Sequence, residues 1–406
     1  MGIALIIKNF ENGSHPHKGW LFFFYITPYY TTLHFLHSYI KKEFNYLHIS
    51  KKSCTFANEI WSKEGNMNNQ ELYMARCLQL ARLGEYYVAP NPMVGAVLVS
   101  NSEEKILGEG WHMQYGGPHA EPNCLRNAEE NASQGIDYKN CTLYVSLEPC
   151  SHYGKTPPCA ELIVKKGIGR VVVGCLDPNP CVAGRGVRMM QEAGVEVVVG
   201  VMEDACKALN KRFFCLQEKK RPYVILKWAQ TADGYIDTFR VEGLGLRDSA
   251  PLVISTPLLK QLVHQQRAEN MAIMVGTRTV LLDNPRLLTT HWSGRNPVRV
   301  TLDRHGVLPT DSRIFSDESE TIVYKENTDW QFVLNDLAER NIHSLLVEGG
   351  AALLNTILES GVYDEVHVEV AKDVIIGSGV KAPDYVFKTK PQVVDGHLVY
   401  VECCVV

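Results

Sequence analysis

Cys141-Thr142-Leu143-Tyr144-Val145-Ser146-Leu147-Glu148-Pro149-Cys150 is the stretch on which the fold reading turns. Alternating Thr, Tyr and Val read as a strand, and Glu148 and Cys150 emerge at its end. Upstream, His119-Ala120-Glu121 opens a helix that also carries Leu125; downstream, Thr156-Pro157-Pro158-Cys159 leads into a helix over 160–166. These segments offer one imidazole and two thiolates, with the carboxylate of Glu121 two residues from the imidazole. His119, Cys150 and Cys159 would fill three of the four tetrahedral positions that zinc takes, leaving one open for water. An open position marks a catalytic site, where the metal lowers the pKa of water toward neutrality. Glu121 can shuttle protons there without ligating the metal. A closed structural zinc site, or unrelated buried cysteines, would explain neither the three-ligand count nor Glu121.

The surrounding pattern is layered. Met74, Leu78 and Ala81 share one helical face, which Gly84 can end. Strands are expected over 94–99, 106–110, 170–174 and 195–200, with a helix over 186–194. Strands alternating with helices predict an α/β sheet covered by helices. A charged passage with two Phe, 207–221, is the candidate linker between a first domain over 67–206 and a second over 222–406. The second reads as α/β again, with strands over 223–228, 271–275, 298–302, 321–324, 344–347 and 365–370. Helices are expected over 257–267, 330–340 and 351–360.

The H-x-E and P-C…C layout resembles the nucleobase and nucleoside zinc deaminases. Their common form is P-C-x-x-C; here the two cysteines stand nine positions apart. That long loop, together with Pro90-Asn91-Pro92-Met93-Val94-Gly95, resembles the deaminase half of the bifunctional riboflavin biosynthesis deaminase-reductases, from about Tyr73 to Gly200. The resemblance implies a cytidine-deaminase-like α/β/α zinc domain. It places zinc at His119, Cys150 and Cys159 and the proton donor at Glu121, and it lines a pyrimidine pocket with Asn91, His112 and Lys155. Taken alone, Asn91 is a turn residue between two prolines, His112 a surface or core histidine, and Lys155 a solvated loop lysine. The segment Asp177-Pro178-Asn179-Pro180-Cys181-Val182-Ala183-Gly184-Arg185-Gly186 shares the resemblance; it reads as a Gly-Pro connector and receives no chemistry.

The second domain has no G-x-G-x-x-G after its first strand, so a Rossmann reading lacks its main support. Glu348-Gly349-Gly350-Ala351 follows an apolar strand instead. Glycines there let backbone N–H groups approach a phosphate at a helix start, although Gly-Gly also serves as a plain turn. Arg221 to Ala229, Thr231-Ala232-Asp233-Gly234, Arg267-Ala268-Glu269, Gly276 to Pro285 and Val347 to Gly350 resemble the reductase half of the same family. That half has a dihydrofolate-reductase-like fold and uses NADPH. Carried over position by position, Ala229, Thr279, Asp283, Gly350, Ala351, Ala352, Leu353, Leu354, Asn355 and Thr356 would contact NADPH. Arg267, Leu287 and Glu348 would contact the substrate, with Lys227 and Asp283 as the polar groups nearest the reacting ribose carbon. His291 stands where the family often has an Arg that meets the substrate phosphate, and is a weaker partner than a bidentate guanidinium. The stretch 241–253 has no Trp, which the family often carries ahead of the element written here as Ile254-Ser255-Thr256-Pro257.

The resemblance implies an enzyme that deaminates a diaminopyrimidinone ribosylamine phosphate with Zn2+, then reduces its ribosyl group to ribityl with NADPH. The rivals are a single-function zinc deaminase of a base, nucleoside or RNA with an inactive second domain, and a zinc-stabilised interaction protein. Composition fits the first reading. The chain has 406 residues, 45% apolar and 21% charged, with a net charge of −4 that offers no basic field for nucleic acid. Twelve scattered cysteines read as reduced thiols, and a cytoplasmic location is expected. Partners are small molecules, with no membrane; homo-oligomerisation stays open. Residues 1–66 differ: they hold 14 of the 37 aromatic residues, no Arg and no Asp, and an uncharged run of 22 residues between Lys18 and Lys41. Pro28, Thr31, Thr32, His34 and His37 interrupt that run, so a membrane anchor is disfavoured. A transit peptide would be Arg-rich. The working protein is expected to begin at Met67.

Overall fold

The computed structural model describes residues 67–153, 157–179, 183–240 and 250–404. The extension over 1–66, Lys155 and most of 241–253 lie outside the described residues. Helix α1 (Asn69–Arg82) opens with a capping box: the Asn68 side chain accepts from the N–H groups of Gln70 and Glu71, and Glu71 accepts from the Asn68 N–H. Strands β1 (Gly95–Ser100), β2 (Lys105–Trp111), β3 (Cys141–Leu147), β4 (Arg170–Cys175) and β5 (Glu196–Val199) form one sheet in the order β2-β1-β3-β4-β5. Strand β1 runs antiparallel to both neighbours, while β3, β4 and β5 are parallel.

Strand β3 lies at the centre and is buried along its whole length. From Cys141 to Val145 its residues alternate between two cores, as in a pleated strand covered on both sides. Leu143 and Val145, with Leu98, Val171 and Val173, face α2 (Ala120–Asn131), α3 (Cys159–Lys166) and α4 (Arg185–Glu192). Tyr144, with Val97, Val99 and Val172, faces α1, α5 (Glu203–Leu209) and α6 (Lys211–Lys219). The result is the α/β/α layering expected from the sequence.

The 207–221 passage is helical and packed on both domains. Phe214 joins the core that contains Val97 and Tyr144, while Cys215 packs with Tyr223, Ile225 and Leu346. Arg221 donates to both oxygens of buried Asp364, at 2.5 and 2.8 Å, and the Val224 N–H donates to the same carboxylate at 2.9 Å. A bidentate pair of this kind fixes orientation as well as distance.

The second domain contains β6 (Tyr223–Thr231), β7 (Tyr235–Asp237), α7 (Pro257–Glu269), β8 (Ala272–Val275), α8 (Thr277–Asp283), β9 (Val298–Leu302) and β10 (Thr321–Tyr324). It continues with α9 (Trp330–Glu339), β11 (Ser344–Val347), α10 (Ala351–Ser360), β12 (Glu365–Ala371), β13 (Val380–Lys381), β14 (Gln392–Val394) and β15 (His397–Cys403). Its sheet runs β10-β9-β8-β11-β6-β12-β15-β14, parallel from β10 to β12 and antiparallel over the last two strands. The closing hairpin turns at Asp395-Gly396, both at positive φ, which matches the twist of a two-residue connection. Among the described residues no helix is long and apolar enough to cross a membrane.

Candidate active sites

His119 is the N-cap residue of α2, yet its side chain makes no capping bond. The ring instead meets both sulfurs: its Nδ1 lies 3.6 Å from the Cys150 Sγ and 3.4 Å from the Cys159 Sγ. Zinc bonds of about 2.3 Å to sulfur and 2.0–2.1 Å to nitrogen, at tetrahedral angles, set such N···S pairs about 3.5 Å apart. The donor set therefore fits zinc in kind and in spacing, and all three ligand atoms lie within 4.8 Å of one another. Cys159 begins α3, and its N–H donates to the Cys150 sulfur at 3.3 Å. The Cys150 thiol is held down to about 4, first by Cys159 and then by His119, against burial. A thiolate there is the form a cation needs.

Glu121 sits in the first turn of α2 and is buried. Burial, followed by the charge of Cys150, raises its carboxyl to about 7. A carboxyl near neutrality can both take and give a proton under working conditions. Asn91 and His112 come together beside this group. His112 Nδ1 donates to the Pro118 carbonyl at 2.9 Å, which leaves Nε2 to accept from the Asn91 amide at 3.1 Å. Burial lowers the His112 pKa, so the ring is neutral. It stands edge-on to His119, with centroids 5.5 Å apart.

In the second domain, Gly349 and Gly350 carry the chain from β11 directly into α10 at φ +148° and +72°. Glycine alone adopts both values readily. A Cβ on Gly350 would stand 3.3 Å from the Thr279 hydroxyl, and one on Gly276 would stand 3.8 Å from the Leu353 Cβ. Thr279 and the Gly350–Leu353 turn are thus brought face to face, with the open helix end between them. The later residues of that turn have other commitments. Leu354 lies in the hydrophobic core, Asn355 accepts from the Asp384 N–H at 3.3 Å, and the exposed Thr356 donates to the Ala352 carbonyl.

Arg267 donates to both oxygens of Glu348, at 2.9 and 2.6 Å, and to the Leu288 carbonyl. Burial would raise the Glu348 pKa, but Arg267, with Lys227 adding, holds it below the usual carboxylate value. Lys227 therefore belongs with this pair. It shares a face of β6 with half-buried Ala229, two residues on. Asp283, at the end of α8, pairs with buried Arg240, which also meets Asp237 at 2.6 Å. The structure thus joins Lys227 to the Glu348 group and Asp283 to Arg240. Leu287 has φ +53° and packs among Ile273, Val275, Val280 and Ile314, so only its backbone is free to meet a ligand. His291 is exposed and lies edge-on to His264 with centroids 4.6 Å apart; His264 accepts from the Thr290 N–H. Arg240 and His264 carry no signal in the sequence, because neither stands in a motif and the site groups they meet, Asp283 and Thr290, lie 43 and 26 positions away.

Residues 67–175 match the cytidine and deoxycytidylate deaminase zinc-binding region, and residues 222–394 match the RibD C-terminal domain. The riboflavin biosynthesis protein RibD of Actinobacillus pleuropneumoniae is 38% identical over 338 residues, covering 77% of this chain and 86% of that protein. The chain belongs to the RibD family. The RibD of Escherichia coli K12 is 34% identical over 346 residues, covering 77% of this chain and 89% of its own. Among solved structures, the diaminohydroxyphosphoribosylaminopyrimidine deaminase/5-amino-6-(5-phosphoribosylamino)uracil reductase of Thermotoga maritima is 37% identical with a TM-score of 0.71. It covers 83% of this chain and 99% of that one. The chain is accordingly a bifunctional enzyme of riboflavin biosynthesis, with a zinc-binding deaminase domain followed by a reductase domain of dihydrofolate-reductase-like fold.

Proposed function

We propose that the first site deaminates the diaminopyrimidinone ribosylamine phosphate and that the second reduces the ribosyl group of the product to ribityl with NADPH. The convergence of His119, Cys150 and Cys159 beside buried Glu121 carries the first half of this reading. Zinc, when bound by those three side chains, supplies a Lewis acid that makes water acidic near neutral pH. Glu121 then accepts the proton of the attacking water and returns protons to the ring nitrogen and the departing ammonia. Because both nitrogens of His112 are engaged, its role is to orient Asn91, whose amide oxygen is left to accept from the base. Lys155 remains the proposed partner of the substrate's carbonyl or phosphate.

In the second site, the N–H groups at the start of α10 and the hydroxyl of Thr279 would hold a phosphate-bearing cofactor. Ala229 and Asp283 would border it. NADPH, when bound, supplies the hydride. The Arg267–Glu348 pair and the Leu287 backbone position the substrate, His291 approaches its phosphate, and Lys227 is the proton-bearing group nearest the reacting carbon. Incubating the purified chain with the pyrimidine phosphate tests both halves. Ammonia should appear without NADPH, and NADPH should be oxidised only after it appears. Ammonia with no NADPH oxidation would instead favour a single-function deaminase.

A further inference from the structure

Glu148 is buried at the end of β3, two residues before Cys150, and the chemistry above gives its carboxylate no task. Its contacts are specific. Oε2 accepts from the N–H groups of Asp177 at 3.2 Å and Gly184 at 2.9 Å; Oε1 accepts from Gly186 at 2.9 Å and Val187 at 3.3 Å. Gly184, at φ +73°, is the N-cap of α4, so the carboxylate faces that helix end. Hydrogen bonds to an ionised acceptor are roughly twice as strong as neutral ones. The fit leaves no slack on the other side. A Cβ on Gly186 would lie 2.1 Å from the Pro149 carbonyl oxygen. Pro149 and Glu148 are therefore pressed against the first turn of α4, and the Glu148 N–H is bonded to the Cys175 carbonyl at 2.9 Å.

Cys150 is clamped from the opposite direction as well. Its carbonyl accepts from the Ala160 N–H at 3.1 Å, and its sulfur accepts from the Cys159 N–H. The turn that carries this sulfur thus hangs between α3 and α4, and Glu148 is its link to α4.

We propose that Glu148 is a positioning residue for the metal centre: by gripping the start of α4 it sets where the Cys150 sulfur stands relative to His119 and Cys159. This rests on the zinc reading above. A group that merely held the sheet to its helices would affect stability alone. A group that orients a ligand affects the metal, and loss of such outer partners weakens metal binding about 10–100-fold. Replacing Glu148 with Gln keeps the shape, but sets an NH2 group against two of the four N–H donors.

The test uses the full chain, with zinc retention measured against a chromophoric chelator and cobalt(II) absorption read in the substituted protein. The sulfur-to-cobalt charge-transfer and d–d bands report ligand geometry without turnover. Thr142→Val, at the far end of the same strand, where the buried hydroxyl donates to Asn101 at 2.7 Å, controls for lost stability. Glu148→Gln should hold zinc about 10–100-fold more weakly, with displaced cobalt bands. Glu148→Asp should fall between, and Thr142→Val should match the parent in both. Unchanged retention and unchanged bands in Glu148→Gln would overturn the proposal. So would equal loss of metal in Thr142→Val at matched thermal stability. Should Glu148→Gln not fold, Glu148→Asp decides by the same readouts. If the parent takes up no zinc, or Cys150→Ser keeps it, the zinc reading itself has failed.

Discussion

Glu121 and His291 show what one side chain can and cannot be asked to do. Glu121 lies beside the proposed metal ligands and is not proposed as one of them, and burial raises its carboxyl to about 7. Glu121→Gln should therefore keep one zinc per chain, measured by metal analysis, while ammonia release falls by about 10²–10⁴-fold, the usual reach of general acid–base catalysis. Near-parental ammonia release would remove Glu121 from the mechanism. His291 is the opposite case, an exposed ring resting edge-on against His264. Burial, then Arg267 and His291, lower the His264 pKa to about 4, so that ring is neutral and adds no charge for a phosphate. His291→Arg would supply a permanent, bidentate cation. A charged hydrogen bond worth roughly 1.5–3 kcal/mol should lower the reductase KM by about tenfold or more. An unchanged KM would mean that the phosphate is held elsewhere. Arg267 and Arg286 are the alternatives, though both already bond carboxylates, Glu348 and Glu318.

The β11-turn-α10 unit carries the cofactor argument at the scale of the element. Its strand and helix are bounded where the sequence predicts, at Ser344–Val347 and Ala351–Ser360. Three apolar residues, two glycines and an apolar helix face leave little freedom there. Gly349→Ala should test the turn, since φ +148° is essentially closed to a residue with a Cβ. Strain of about 1–3 kcal/mol should appear as weaker NADPH binding in a fluorescence titration, with the deaminase half unaffected. Parental NADPH affinity would separate the turn from the cofactor. Other elements were harder to read. Helix α8 has seven residues and buries only Val280, too short a run to show a 3.6-residue period. The Asp395-Gly396 hairpin carried a readable signal, because a two-residue Asp-Gly loop is a strong hairpin mark. The clamp around Glu148 had none. Its donors lie 29 to 39 positions downstream, and only the fold brings them to the end of β3. The convergence of His119, Cys150 and Cys159 was legible because their chemistry is rare in combination. The Arg240 pairing was not, since an Arg and an Asp 43 residues apart imply nothing without coordinates.

At the scale of the molecule, the two domains meet along a polar seam. The Trp292 indole donates to the Tyr86 hydroxyl at 3.2 Å, and Arg212 of α6 lies 3.7 Å from Glu269 at the end of α7. Between them is a cavity of about 30 Å³ bordered by Asn91, Glu85, Arg212, Glu269 and His343. Asn91 also holds His112, so the seam backs the proposed pyrimidine pocket, while Glu269 is two residues from Arg267 of the reductase. Burial, then the nearby Glu85 charge, raises the Glu269 carboxyl from 4.5 to about 7, against the pull of Arg212. A raised folded-state pKa means that the folded chain holds this proton more tightly than the unfolded chain does. The stability it contributes is complete below about pH 4.5 and is lost as pH rises through about 7. Glu269→Gln imitates the protonated group. Its melting midpoint should match the parent near pH 4 and exceed it by a few degrees near pH 8, equivalent to roughly 1–3 kcal/mol. The measurement is a pair of calorimetric scans at each pH, with the Thr142→Val protein as a substitution remote from the seam. A Glu269→Gln chain that is less stable at every pH would show that the Arg212 pair outweighs burial, and the seam would then be held by charge rather than loosened by it.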